Sequence, residues 1–176
     1  VTINDKGTLS LTSVADTTFN HTLSGTGIMA TNLSGNTLTM GNANSLFTGD
    51  NFKGTLSLTH TKYLLDGSAN TTALKNATLK IGSQAHVIVP ENVGQQNIGG
   101  LAFDHGRLTF NDYIPDMDDA GYVADGSIHA KHLDLSNANG TVDIHVGAIN
   151  TTPTFITDKP ILEQHTGESI VQLVSA

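Results

Sequence analysis

Gly7-Thr8-Leu9-Ser10-Leu11 and Gly54-Thr55-Leu56-Ser57-Leu58 are the same five residues, and variants of the phrase return along the chain. They are Asn36-Thr37-Leu38-Thr39-Met40, Ala77-Thr78-Leu79-Lys80-Ile81, Gly106-Arg107-Leu108-Thr109-Phe110, Lys131-His132-Leu133-Asp134-Leu135 and Gly140-Thr141-Val142-Asp143-Ile144. Apolar and polar residues alternate in each, so one row of side chains points inward and the other to water. Most open on a Gly or Asn. Short self-similar strands that return every ~20–30 residues are the mark of a stacked repeat rather than a closed globule.

The same pattern gives strands at 22–23, 86–89, 101–103, 127–130 and 169–174, beside those in the phrases. Helix signals are sparse: single turns at 71–75 and 116–120, and no longer amphipathic stripe. Two architectures use such a list. A sandwich needs antiparallel hairpins at intervals of about 8–12 residues, and Asn139-Gly140 between two strands reads as a hairpin turn. A parallel β-helix needs short strands stacked coil upon coil, and the spacing of the phrases fits it better. At about 22 residues per coil the chain makes seven or eight coils, a rod of roughly 35–40 Å. The expectation is therefore all-β: one right-handed, single-stranded parallel β-helix over residues 1–176. Asn92–Gly100, polar and rich in Gly, reads as a corner. Asn111–Gly126 reads as a longer acidic loop carrying Asp112, Asp116, Asp118, Asp119 and Asp125.

Composition agrees. Thr, Asn, Ser and Gly make up roughly 40% of the chain, which suits strands and turns and disfavours helices. Charged residues are 14% and aromatic residues 5%, so the core is narrow and aliphatic. The net charge of −8 with no basic cluster argues against nucleic acid and against anionic membrane surfaces. No apolar run reaches the roughly 18 residues of a spanning helix. The sequence starts at Val1 without a signal peptide and reads as a mature or excised segment. It contains no Cys, as expected of a chain that crosses a bacterial envelope unfolded.

From Ile98 onward the order of phrases resembles bacterial autotransporter passengers. It runs Gly99-Gly100-Leu101-Ala102-Phe103, Gly106-Arg107-Leu108-Thr109-Phe110, Gly126-Ser127-Ile128-His129, His132-Leu133-Asp134-Leu135-Ser136-Asn137 and Gly140-Thr141-Val142-Asp143-Ile144. The likeness is to adhesins of the diffuse-adherence and self-associating type. The closing runs 161–167 and 170–174, and the phrase at 47–58, are similar to segments of the same passengers. The resemblance implies a pertactin-like right-handed β-helix exported to the cell surface through the outer membrane by a C-terminal β-barrel. It implies roles in adhesion, autoaggregation, biofilm formation and virulence, with a host-cell or matrix component or another passenger as partner. It supplies no universal site residues.

The residues themselves assign no catalytic group, cofactor or metal. Ser24, Ser34 and Ser83 sit in turn contexts without a nucleophile motif. His129 and His132 are three apart, which on a strand does not aim two imidazoles at one ion, and His86, His105, His145 and His165 are scattered. Asp116-Met117-Asp118-Asp119 lacks the closing Glu of a calcium loop. Asn20-His21-Thr22 and Asn70-Thr71-Thr72 are chance acceptor matches in a chain this rich in Asn and Thr. The rival enzymatic reading is a polysaccharide lyase or hydrolase, with Asp104, Asp112, Asp134 and Asp143 meeting across coils. The chain has no Trp, and Tyr63, Tyr113 and Tyr122 are its only tyrosines, so aromatic sugar platforms are scarce. The expected function is non-catalytic, either binding face or stalk. The acidic loop is the candidate partner-binding edge, with Tyr113, Asp116, Asp118, Asp119 and Tyr122 as contact residues beside Ile114, Pro115 and Met117. The blander reading has Ile114 and Tyr122 only pinning that loop down.

Overall fold

The computed structural model describes residues 1–41, 49–113, 126–134, 136, 139–146 and 173–176. Its strands are β1 (Thr2–Ile3), β2 (Thr8–Thr12), β3 (Thr17–Phe19), β4 (Ser24–Gly25), β5 (Ile28–Asn32), β6 (Thr37–Met40), β7 (Thr55–Thr59) and β8 (Lys62–Leu64). After the single-turn helix α1 (Ala69–Thr72) come β9 (Thr78–Ile81), β10 (His86–Val89), β11 (Gly94–Phe103), β12 (Arg107–Tyr113), β13 (Gly126–Asp134), β14 (Thr141–Val146) and β15 (Val174–Ser175). The protein is all-β and its sheets are parallel. Among the described residues α1 is the one helix.

Most strands alternate between two large sheets, while β1 and β4 pair in parallel as a third, two-stranded sheet. One large sheet has the order β15-β13-β11-β9-β7-β5-β2 and the other β14-β12-β10-β8-β6-β3, so each new strand lies on the previous strand of its own sheet. Its register follows the repeated phrase. Leu9 sits under Met29, then Leu56, Leu79, Leu101 and Leu133, one inward row through the seven-stranded sheet. Leu38, Tyr63, Val87, Leu108 and Val142 form the matching row of the six-stranded sheet. A slip of one residue in any strand would turn its whole apolar set outward, so the alternation itself pins the register. The phrases at 7–11, 54–58, 77–81 and 131–135 stack in the first sheet, while those at 36–40, 106–110 and 140–144 stack in the second.

The two inner faces share one apolar core, in which Met29, Leu56, Leu58, Leu79, Val87 and Leu108 are fully buried. The leading Gly of the phrase is explained by the rung below. The carbonyls of Gly7, Gly27, Gly54 and Ala77 accept from the first N–H of the next strand, Ile28, Thr55, Thr78 and Gly100 in turn. At Gly54 a Cβ would overlap the carbonyl oxygen of Gly27, so the corner closes only without a side chain.

Four expectations are corrected. Asn139-Gly140 is no hairpin: β14 leaves for the other sheet and pairs in parallel with β12. Asn92–Gly100 is largely strand, since β11 begins at Gly94. The corner is confined to Gly99-Gly100, where inward parity flips: Gln96 and Ile98 are buried, then Leu101. The strand expected at 22–23 starts at Ser24, and the helical turn expected at 71–75 sits earlier, as α1. Of the strand expected at 169–174, Val174 belongs to β15, and the turn at 116–120 lies outside the described residues.

α1 interrupts the strand ladder. Ser68 caps it by accepting from the Asn70 N–H at 3.2 Å. The buried Asn70 carboxamide accepts from the Met40 N–H at 2.7 Å, and its carbonyl accepts from the Tyr63 hydroxyl. Thr71 donates to the buried Gln96 Oε1 at 2.6 Å, and Gln96 Nε2 donates to Val93 O at 2.9 Å. These hydrogen bonds join β6, β8, α1 and β11 in one buried polar cluster.

Two outcomes follow for stability. Leu58→Asp buries an unpaired charge and should cost more than about 4 kcal/mol in a denaturant titration, whereas Ser57→Asp on the outer face should stay within about 0.5 kcal/mol. Burial, with Asp66 nearby adding to it, pushes the Tyr63 phenol well above its ordinary value. A raised folded pKa gives stability that is full below the unfolded value of about 10 and lost as pH rises past it. Tyr63→Phe should cost about 1–3 kcal/mol at neutral pH by stranding the Asn70 carbonyl, and should lessen the alkaline loss of stability.

Candidate functional site

Replacing a strand by α1 leaves a step on the molecular surface. The Gly100–Phe103 half of β11 pairs with β9, but its Gly94–Ile98 half has a strand partner on one side only, β13. On the other side lies α1, and between them opens a groove of about 990 Å³. That volume is at the upper end of the range of about 300–1,000 Å³ for small-molecule clefts.

Polar side chains line the groove. Gln95 and Asn97 are exposed on the same face of β11, two residues apart, and stand in register with Ser127 and His129 of β13. His129 Nδ1 lies 2.9 Å from Ser175 Oγ. At the α1 end, Lys75 and Asp50 form an exposed ion pair. At the β13 end, Lys131 Nζ donates to Asn76 Oδ1 at 2.8 Å, a neutral partner. The floor is held by the buried Thr71–Gln96 hydrogen bond, so the amide row stands on a fixed support. Apart from His129, weighed from sequence as a metal ligand, and Thr71, in an acceptor match, none of these residues was a candidate from sequence. The available signal was the amide run Gln95-Gln96-Asn97 beside a turn-forming stretch, which read as a corner.

Of the residues expected to bind a partner, the structure describes the backbone of Tyr113 alone. Tyr113 ends β12, its backbone in register with Val146; Asp116, Asp118, Asp119 and Tyr122 lie outside the described residues, as do Ile114, Pro115 and Met117. Of the carboxylates of the enzymatic reading, Asp104 and Asp134 both lie near Lys80, Asp143 belongs to the other sheet, and the Asp112 side chain lies outside the described residues. Asp134 stacks beside Ala102 in the seven-stranded sheet, and Asp143 beside Thr109 in the six-stranded one. Asp143 pairs with Arg107 and accepts from Thr109, whose hydroxyl lies 2.7 Å from His86 Nε2. Asp104 meets His105 Nδ1 at 2.9 Å and Lys80 Nζ at 3.3 Å, and those hydrogen bonds hold its carboxyl below the ordinary aspartate range. Hydrogen bonds from Ser136 lower Asp134 in the same way. Both shifts run opposite to what a general acid requires.

His129 and His132 diverge at the corner, His132 Nε2 lying 3.3 Å from Thr78 Oγ1 over the space that Gly100 leaves open. Ser24 Oγ shares a 2.7 Å hydrogen bond with Thr2, and Ser34 occupies a left-handed turn position with φ 54°. Among the described residues no three His, Asp or Glu side chains cluster as a metal site, and no helix is long and apolar enough to cross a membrane.

Two proteins of Escherichia coli (strain K12) are similar to the chain. It is 32% identical over 164 residues to the "Uncharacterized lipoprotein YdeK", a match over 91% of this chain and 12% of that protein. It is 28% identical over 176 residues to the "Uncharacterized protein YuaQ", over 99% of this chain and again 12% of that protein. The chain therefore spans about an eighth of the length of the curated relatives it matches. No family model and no solved structure matches it.

Asp104 gives the outcome that checks these electrostatics. Its depressed carboxyl contributes stability above the unfolded aspartate value, lost as pH falls through the folded one. In a carboxyl-carbon NMR titration, Lys80→Met with His105→Ala should raise the Asp104 midpoint toward the ordinary value. An unmoved midpoint would show that neither partner holds it.

Proposed function

We propose that the chain is a stretch of right-handed parallel β-helix within a surface-displayed adhesin of the autotransporter-passenger type. It acts without catalysis, in adhesion, autoaggregation or biofilm formation. The observation that carries the reading is the rung register: parallel strands build two large sheets, and each copy of the phrase stacks in register with the strands of its own sheet. Parallel crossovers are right-handed in about 98% of cases, which supplies the hand. Such a stack adds rungs without limit, and relatives about eight times longer than this chain fit a long rod of which it is one part. The word lipoprotein in one relative's name supports a cell-envelope location. Export through a C-terminal outer-membrane barrel comes from the resemblance in the strand phrases. The outer rows suit display, since Thr8, Thr55, Thr78, Ser10 and Ser57 give a polar, lightly charged face. The partner is a host-cell or matrix component, or a second passenger.

The test is to express the parent protein in a non-aggregating bacterial host, with and without residues 1–176. Intact cells are treated with protease, and settling and adhesion are measured. The expected result is cleavage of the segment from intact cells, with settling or adhesion reduced by its deletion. Protection from protease would remove the surface reading, and unchanged settling and adhesion would reduce the segment to a spacer.

A further inference from the structure

We infer that the groove between α1 and β11 binds a carboxylated sugar chain, a uronate- or sialate-bearing oligosaccharide, which rests on the adhesin reading for its biological setting and gives it a ligand class. Three observations carry this.

The first is the unspent hydrogen-bonding capacity. Gln95 and Asn97 each present a carboxamide, two N–H donors and an oxygen acceptor, and neither side chain has a hydrogen-bond partner among the described residues. They stand two residues apart on one strand face, about 6.6–6.8 Å. A rigid row of paired donors and acceptors suits a hydroxyl-covered chain better than it suits an apolar side chain.

The second is local charge. In a chain of net charge −8, the groove holds two Lys, a His and a single Asp. Asp50 pairs with Lys75, but Lys131 rests on a neutral amide, so its charge has no ion-pair partner among the described residues. A carboxylate laid there would gain a charge-assisted hydrogen bond, stronger than a neutral one.

The third is what the walls lack. Among the described residues no Phe, Tyr or Trp lines the groove, so neither a stacked neutral sugar nor an aromatic hot spot of the kind protein interfaces use finds a platform there. Recognition falls to the amides and the ammonium. Lys131 comes from β13, but its ammonium rests on Asn76, next to Lys75 in the chain, so both ammonium groups lie toward the same side of the groove.

The test uses the purified chain and isothermal titration with tetragalacturonate, sialyllactose, neutral cellotetraose and a tetraglutamate peptide. At least one acidic sugar should bind more tightly than cellotetraose, and tighter binding of tetragalacturonate or of sialyllactose identifies the uronate or the sialate as the source. Lys131→Gln should weaken the acidic sugar about tenfold and remove its preference over cellotetraose. Gln95→Ala with Asn97→Ala should weaken it by a similar factor, and both variants should keep the parent's thermal midpoint because all three side chains are exposed. No binding by either acidic sugar would overturn the inference. So would binding that both variants leave unchanged, cellotetraose binding as tightly, or the peptide matching the sugar with the same dependence on Lys131. The titrations need no displayed protein, so their failure and a failure of surface display are separate results.

Discussion

Each strand is held chiefly by the strand one rung away, through parallel backbone hydrogen bonds that run along the stack. A position therefore answers to its neighbours above and below before it answers to residues beside it in sequence. Inward, this requirement produces the column Leu9, Met29, Leu56, Leu79 and Leu101, buried in or packed against the core, with Leu133 next in register and 37% exposed. At the corners it produces glycine, because the carbonyl of one rung occupies the space where the next rung's Cβ would stand. Outward it constrains little beyond solubility, and there Thr, Ser, Lys, His and Asp alternate freely.

The groove follows from a single lapse in that ladder. Where α1 takes the place of a strand, the front half of β11 loses its lower partner, and side-chain hydrogen bonds do the work that backbone pairing does elsewhere. Asn70, Thr71 and Gln96 are buried polar residues among aliphatic ones, and each is satisfied by a neighbouring element. Such a cluster specifies geometry more sharply than aliphatic packing does, since every member requires its partner in place. The surface above it is consequently a fixed shape bearing unengaged amides.

Legibility in the sequence divides along the same line. Strands Thr8–Thr12, Thr37–Met40, Thr55–Thr59, Thr78–Ile81, His86–Val89 and Thr141–Val146 have the bounds that alternation gives them, because each places two or more apolar residues inward. β5 went unread because its pattern is inverted: Thr31 faces the core, bonded to Thr61, while Ile28 is 41% exposed. β3 and β8 are three residues long, too short for a period to declare itself. The repeated phrase announced stacking but not which sheet each copy joins, since both sheets ask for the same alternation. The groove was illegible for a stronger reason. It exists between Lys75, Asn97 and Lys131, which only the stacking brings together, and no local spacing connects them.

The parity flip at Gly99-Gly100 bears on how such a chain can change its length. Within a strand, adding one residue exchanges inside for outside in everything that follows. At a corner the exchange is already permitted, so a gained or lost residue is absorbed before the next strand begins. Thr8 finds its partner Ile28 and Ile28 finds Thr55 across connections of unequal length, with the same column preserved. Insertion, deletion and duplication of coding sequence are therefore tolerated at the corners and punished in the strands. A stack of parallel strands built this way can lengthen by copying whole rungs, and can acquire an irregularity such as α1 in one rung while its neighbours keep their register.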